Sequence, residues 1–272
     1  MTFTITPEQK QQYQTEGYLV LRDVVPSAQI QALRAAISDV IDASIAGEIE
    51  DLVWIDKEQR LPSRLSEILR PQMVRPAFAE SLATGPYVAV AGQLLESPVR
   101  YSLFGAIGGG GGYPYIQDWH RDLVPTEVEL PVLERGFPWM VQTNAPLYSD
   151  RYLTIIPGSH LRATTAAESA AYRANPAGDM PEQITVCTEP GDVAFYYPNL
   201  WHRGYNPTGE PRFTMHHAFW RADLPVLRHE GRQNAWIATP GYLETLPTPV
   251  AGLLQRYLDA YPATELVGFH RD

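Results

Sequence analysis

Pro190-Gly191-Asp192-Val193-Ala194-Phe195-Tyr196-Tyr197-Pro198-Asn199-Leu200-Trp201-His202 begins with a tight turn and runs directly into an apolar, aromatic segment. Val193 to Tyr197 reads as a strand, because β-branched and aromatic side chains fit a pleated, half-buried surface. His202 therefore falls at a strand end, where the strands and loops of a small barrel converge on a ligand. Ten residues later, past the turn Asn206-Pro207-Thr208-Gly209, Arg212 stands at the start of the next run. Working outward, short β-rich runs punctuated by Gly and Pro occupy 99–107, 113–120, 138–147, 152–157, 183–187, 192–197 and 211–221. Strands of this length and spacing predict an antiparallel jelly roll. A polar, Ala-rich excursion at 162–182 predicts a surface loop with a short helix.

The N-terminal third reads differently. Thr6-Pro7 is a helix cap followed by proline at the first helical position, and Gly17 is the stop. Tyr18 to Arg22 forms a short strand. Ile30, Leu33, Ile37, Val40, Ile41 and Ile45 then recur at helical spacing until Gly47. Residues 73–95 predict one or two more helices broken at Gly85-Pro86, and Val250 to Leu258 predicts a last one. Together these give an α+β chain with N-terminal helices packed on one sheet. We expect a single domain over 1–272: a helical part to about 97, a jelly-roll core over about 98–221 and an extension over 222–272.

A net charge of −10 and a pI near 5.2 disfavour nucleic acid or an anionic membrane as partner. The single cysteine, Cys187, rules out an internal disulfide framework and is expected as a small buried hydrophobe on its strand. No apolar run approaches the length of a membrane span and no signal-peptide core is visible at the start, so the cytoplasm is the expected compartment. Gly108 to Gly112 carries neither phosphate-loop nor dinucleotide spacing. The plain reading is a flexible hairpin connection; the sharper one is a mobile lip beside a site.

Candidate ligands lie in Asp118-Trp119-His120-Arg121-Asp122. His120 and Asp122 are two apart, so on an extended strand both leave the same face. With His202 they make a two-His, one-carboxylate set of the kind that holds non-haem Fe(II). His270-Arg271-Asp272 repeats the tripeptide, but at the chain end with no strand pattern around it. His120-Arg-Asp-Leu123 also imitates a kinase catalytic loop, yet Glu127 stands where Asn is needed and no Asp-Phe-Gly follows. His216 or His217 paired with Arg228 is a rival distal ligand, although Asp223 and Pro225 interrupt that stretch. By alternation His216 shares the face of Arg212. An Arg there suits a bidentate grip on a dicarboxylate whose other end reaches the metal. Tyr101, Phe104, Tyr113, Tyr115 and Trp201 cluster near these positions, as core or as the walls of an apolar pocket.

Trp119-His120-x-Asp122, Ile156-Pro157-Gly158-Ser159-His160, Pro190-Gly191-Asp192 and His202 with Arg212, taken in order, resemble the phytanoyl-CoA dioxygenase family of Fe(II)/2-oxoglutarate oxygenases. Gly17-Tyr18-Leu-Val-Leu and Val25-Pro26 resemble that family's opening, so the likeness covers roughly residues 7–221. It implies a double-stranded β-helix, cupin-like, with His120, Asp122 and His202 as iron ligands. It also implies Arg212 as anchor of the 2-oxoglutarate C5-carboxylate, O₂ as oxidant, and co-substrate contacts near Trp139 and Gln142. His160 in its turn is expected to be structural. Asp122 is retained, which argues for oxygenation over halogenation. The sequence departs from the family at Ser149 to Leu153 and at Val124 to Phe137, so the substrate does not carry over. An acidic chain without clustered basic residues suits a small, natural-product-like substrate; an acyl-CoA thioester, or a non-catalytic binding protein with a vestigial metal site, are the alternatives.

Overall fold

The computed structural model describes residues 3–50, 52–122 and 138–261. The chain opens with α1 (Pro7–Glu16), β1 (Tyr18–Leu21), α2 (Ser27–Ile45), β2 (Leu52–Asp56), β3 (Leu61–Leu65), α3 (Pro76–Thr84) and α4 (Tyr87–Leu95). β4 (Val99–Gly109), β5 (Tyr115–Ile116), β6 (Met140–Pro146) and β7 (Asp150–Ile155) follow. After α5 (Ala166–Ala174) come β8 (Ile184–Thr188), β9 (Val193–Tyr196), β10 (His202–Asn206) and β11 (Arg212–Arg221), and the chain ends with α6 (Asn234–Ile237) and α7 (Thr248–Ala260).

Local chemistry explains the boundaries. α1 starts on a reciprocal cap, in which the Thr6 hydroxyl accepts from the Gln9 amide and the Gln9 side chain accepts from the Thr6 amide. It ends at Gly17, whose φ of 81° lies in the left-handed region that glycine adopts without penalty. α2 buries Ile30, Leu33, Ile37, Val40 and Ile41, the stripe its sequence spacing predicts.

Among the described residues the strands form two antiparallel sheets, ordered β1-β9-β6-β11-β4-β3-β2 and β5-β10-β7-β8. From β4 to β11 the chain passes back and forth between the sheets, except that β7 and β8 follow one another as neighbours in the small sheet. β11 shows the two faces of the large sheet. His217 turns toward the helices, stacked on Phe104 and lying against Tyr87 of α4. His216 turns toward the small sheet and meets Asn144 of β6 on the inner face. The main apolar core lies on the helix side and includes Leu33, Phe78, Leu94, Phe104, Phe219 and Leu254.

Four features differ from the sequence expectation. β2 and β3 form a hairpin within the supposedly helical third; Leu52 and Leu65 bury its core side. The strand expected at 113–120 keeps a ladder only at Tyr115 and Ile116, yet Gln117 and His120 still bond to β10. His202 begins a ladder of its own rather than closing the preceding strand. Cys187 is exposed, not buried: on β8, an edge strand, Val186 and Thr188 point inward and Cys187 outward. The segment Val124 to Phe137 and the repeat at His270 to Asp272 fall outside the described residues. No described helix is long and apolar enough to cross a membrane.

The glycine run is split. Gly108 and Gly109 end β4, and Gly110, Gly111 and Gly112, with φ of 140°, 65° and 80°, make the turn. A Cβ on Gly108 would stand 2.3 Å from the main-chain oxygen of Pro62. Gly108→Ala should therefore push the β2–β3 hairpin away, at roughly 1–3 kcal/mol, lowering the melting temperature by about 5 °C. Calorimetry checks this, and an unchanged melting point would show that the hairpin is not held there.

Candidate metal centre

The segment 115–120 runs beside β10, and His120 and His202 face each other as an isolated pair. The amide of each donates to the carbonyl of the other, both at 3.0 Å. Two residues on, the Asp122 amide donates to the Pro198 carbonyl at 3.0 Å. Main-chain bonds alone thus bring three side chains to one place. The Asp122 carboxylate lies 3.5 Å from His120 Nε2 and 3.7 Å from His202 Nε2. All three ligand atoms are within 4.8 Å of one another.

Hydrogen bonds select which imidazole nitrogen faces this point. His120 Nδ1 is 2.8 Å from the Asp118 carbonyl oxygen and His202 Nδ1 is 2.9 Å from that of Leu200. A carbonyl oxygen only accepts, so each Nδ1 carries the proton and each Nε2 presents a lone pair. Burial holds His202 below the usual histidine pKa against the pull of Asp122, which keeps it neutral. Burial raises Asp122, but the two imidazoles and the Gln142 amide outweigh it and hold the carboxyl below its usual range. Donors around one divalent ion at about 2.1 Å are roughly 3 Å apart, so this set fits a metal with slight contraction.

Gln142, on the inner face of β6, donates from Nε2 to the Asp122 carboxylate at 2.6 Å. Its amide thus braces a candidate ligand. Trp139 precedes β6 and packs edge-on against Tyr197, centroids 5.7 Å apart. Arg212 is buried on β11, and its Nε donates to Asp150 of β7 at 3.0 Å. Thr214 also donates to Asp150, and the rings of Tyr115 and Tyr152 lie 5.9 and 5.5 Å from the guanidinium. His216 is fully buried, and burial takes its pKa down to about 3; Arg64 pushes the same way, Asp122 opposes, and Arg212 adds to the fall.

The other side of the small sheet holds a clamp. The guanidinium of Arg203 lies between the rings of Trp119 and Tyr205, at 4.8 and 4.2 Å. It donates to the carbonyls of Ala177 and Gly178 and to Asp179, while Trp119 Nε1 donates to Gly178 at 2.7 Å. Trp119 and Arg203 directly adjoin His120 and His202, so one clamp fixes both ligand strands from behind. The Pro-Gly-Ser-His turn completes it: Ser159 accepts from the Trp201 amide, and His160 faces Gln14 of α1 and Tyr197. His217 and Arg228 do not join the metal cluster, whose members are His120, Asp122 and His202.

Sequence reasoning did not single out Asp150, Asn144, Arg64 or Arg203. Asp150 had a usable signal, since a buried arginine on a neighbouring strand requires a counter-charge. Arg64 had none, because its hairpin was itself unrecognised.

No family model matches the chain, and no curated protein matches it by sequence. Its fold is shared with solved enzymes. EctD from S. alaskensis, with 2-oxoglutarate and 5-hydroxyectoine, aligns over 82% of this chain and 78% of its own, with a TM-score of 0.60 and 21% identity. HygX from Streptomyces hygroscopicus, with nickel and 2-oxoglutarate bound, aligns over 83% and 90%, with a TM-score of 0.63 and 15% identity. SnoK, a non-heme alpha ketoglutarate dependent carbocyclase from nogalamycin biosynthesis, aligns over 90% and 92%, with a TM-score of 0.60 and 18% identity.

Arg203→Lys keeps the charge but loses the planar fork and both stacks, and should weaken metal affinity about tenfold, as loss of outer-shell support does; calorimetric Ni(II) titration measures it. The clamp's carbonyls lie in the excursion that α5 begins. There Glu168 is held at about 2, down from the ordinary 4.5, chiefly by hydrogen bonds from Arg162. A depressed carboxyl stabilises above pH 4.5, and that contribution is lost as pH falls from about 4.5 toward about 2. Glu168→Gln should therefore flatten the fall in urea midpoint across that window.

Proposed function

We propose that this chain, as a single domain over residues 1–272, is a non-haem Fe(II)- and 2-oxoglutarate-dependent oxygenase. Its substrate on this reading is a small, natural-product-like molecule, oxidised at an unactivated C–H bond. The observation that carries the reading is the convergence of two imidazole Nε2 lone pairs and one carboxylate, each Nδ1 proton fixed on a carbonyl. Three protein donors leave room for a bidentate 2-oxo acid and O₂. Strand order supports a double-stranded β-helix, and the enzymes sharing the fold include one solved with nickel and 2-oxoglutarate.

Bound iron supplies the oxidising power, drawn from O₂ and the decarboxylation of 2-oxoglutarate to succinate. The chain's own residues position and protect. His120, Asp122 and His202 hold the ion. Asp150 occupies Nε of Arg212, so the terminal guanidinium edge is the one that pairs with the distal carboxylate of 2-oxoglutarate. Gln142 fixes the Asp122 carboxylate, which occupies the place a halide would need. Tyr196 and the buried, neutral His216 wall the interior and keep water from it.

With Fe(II) and 2-oxoglutarate the protein should release succinate even without a primary substrate. His120→Ala and Asp122→Ala should reduce that release to background. Arg212→Ala should raise the KM for 2-oxoglutarate roughly 10–100-fold, the worth of a lost charge-assisted contact. Absence both of decarboxylation and of metal-dependent 2-oxoglutarate binding would instead mark a binding module.

A further inference from the structure

We propose that Arg64 is an anion-reading arm at the mouth of the site, and that the primary substrate bears a carboxylate which this arm receives. The proposal rests on the oxygenase reading for what the site does with that molecule, but its own argument concerns binding. Pairing places Arg64 opposite Ile107 on β4, Ile107 opposite Thr214 on β11, and Thr214 opposite Pro146 on β6. Residues directly opposite in antiparallel strands share a face of the sheet. Thr214 points inward, since its hydroxyl reaches Asp150 on the small sheet. Arg64 therefore belongs to the inward row, whereas its neighbour Leu65, opposite Ala106, is fully buried on the helix side.

β3 lies beyond β4, where the large sheet extends past the two-residue β5 of the small one. Among the described residues no strand of the small sheet faces the inward row there. Arg64 is exposed, and so is Val53 across the hairpin, at 55%. A cation and an apolar side chain thus stand side by side at the end of the sheet's inward row. The charge of Arg64 is felt within: together with Arg212 it lowers His216, and both oppose the burial-driven rise at Tyr196 and Tyr115, where Arg212 is the larger influence.

The arm is also seated firmly. A Cβ on Gly105 would stand 2.5 Å from the Leu65 main-chain oxygen, and one on Gly108 would stand 2.3 Å from that of Pro62. These close approaches bracket Arg64 on both sides, so the glycines of β4 let the hairpin dock. Electrostatics then gives the arm its purpose. The chain carries −10 overall and repels an anionic substrate at long range. Arg212 is engaged by Asp150 and, on the oxygenase reading, by the distal carboxylate of 2-oxoglutarate, whereas among the described residues no carboxylate pairs with Arg64.

The test uses the zinc-loaded protein saturated with 2-oxoglutarate, with binding read by ligand-observed NMR. The probes are aromatic carboxylic acids, such as 3-phenylpropionate, each matched with its primary amide. Acids should bind about tenfold tighter than amides. Arg64→Gln should abolish the preference, Arg64→Lys should retain most of it, and Arg64→Glu should turn it toward matched amines. An acid preference that survives Arg64→Gln, or no acid preference in the wild type, overturns the proposal. So does an effect of Arg64→Gln confined to the affinity for 2-oxoglutarate. Because the readout is binding, a lack of succinate release would count against the oxygenase reading alone.

Discussion

Two main-chain hydrogen bonds between His120 and His202 carry the rest of the site. Backbone pairing fixes Cα positions to a fraction of an ångström without spending any side-chain group. Both imidazoles are then free to be aimed by their own Nδ1 bonds. Asp122 follows from the same pairing, since its amide is held by Pro198 two residues along. The cluster is therefore an outcome of strand register. A slip of either strand by one residue would turn its histidine to the opposite face and dissolve the cluster.

The interior tolerates buried charge because these charged groups have partners from other parts of the fold. Arg212 bonds Asp150 across the two sheets, and Asp122 is braced by Gln142. Elsewhere the fully buried Arg100 pairs with Glu230 through both carboxylate oxygens. Such pairs contribute little net stability, but losing one member leaves an uncompensated buried ion at about 3–5 kcal/mol. Their effect here is positional. Histidine takes the opposite route, with His216 and His217 held neutral by burial on the two faces of one strand.

Much of this was legible in the sequence, and the rest was hidden for identifiable reasons. The strands after residue 98 announce themselves through β-branched and aromatic runs between Gly and Pro turns, and α2 through its apolar period. β3 does not: Leu-Pro-Ser-Arg-Leu has a proline and no alternation, and pairing with β4 decides its state. β10, His-Arg-Gly-Tyr-Asn, is polar because its faces serve the ligand cluster and the Arg203 clamp rather than an apolar core. Cys187 misleads by chemistry, since cysteine is usually buried; alternation with Val186 places it outward. The convergence of His120, Asp122 and His202 was readable only through the strands and turns around them, because His-x-Asp by itself recurs at 270–272. Asp150 was not, since a single carboxylate gains meaning only from the arginine it meets in space.

The β2–β3 hairpin has a bearing on colloidal behaviour as well. Without it, the eleven-residue β4 would be the rim of the large sheet, with a row of unpaired amides and carbonyls fit to recruit another chain. β3 covers only part of that rim, and β2 becomes the outermost strand. β2 carries two register irregularities, at Val53/Trp54 and Trp54/Asp56, so its hydrogen-bonding groups do not line up as a regular template. A kinked, five-residue border is poor ground for intermolecular strand addition. The same short hairpin that overhangs the site thereby helps keep one copy of the protein from joining the next.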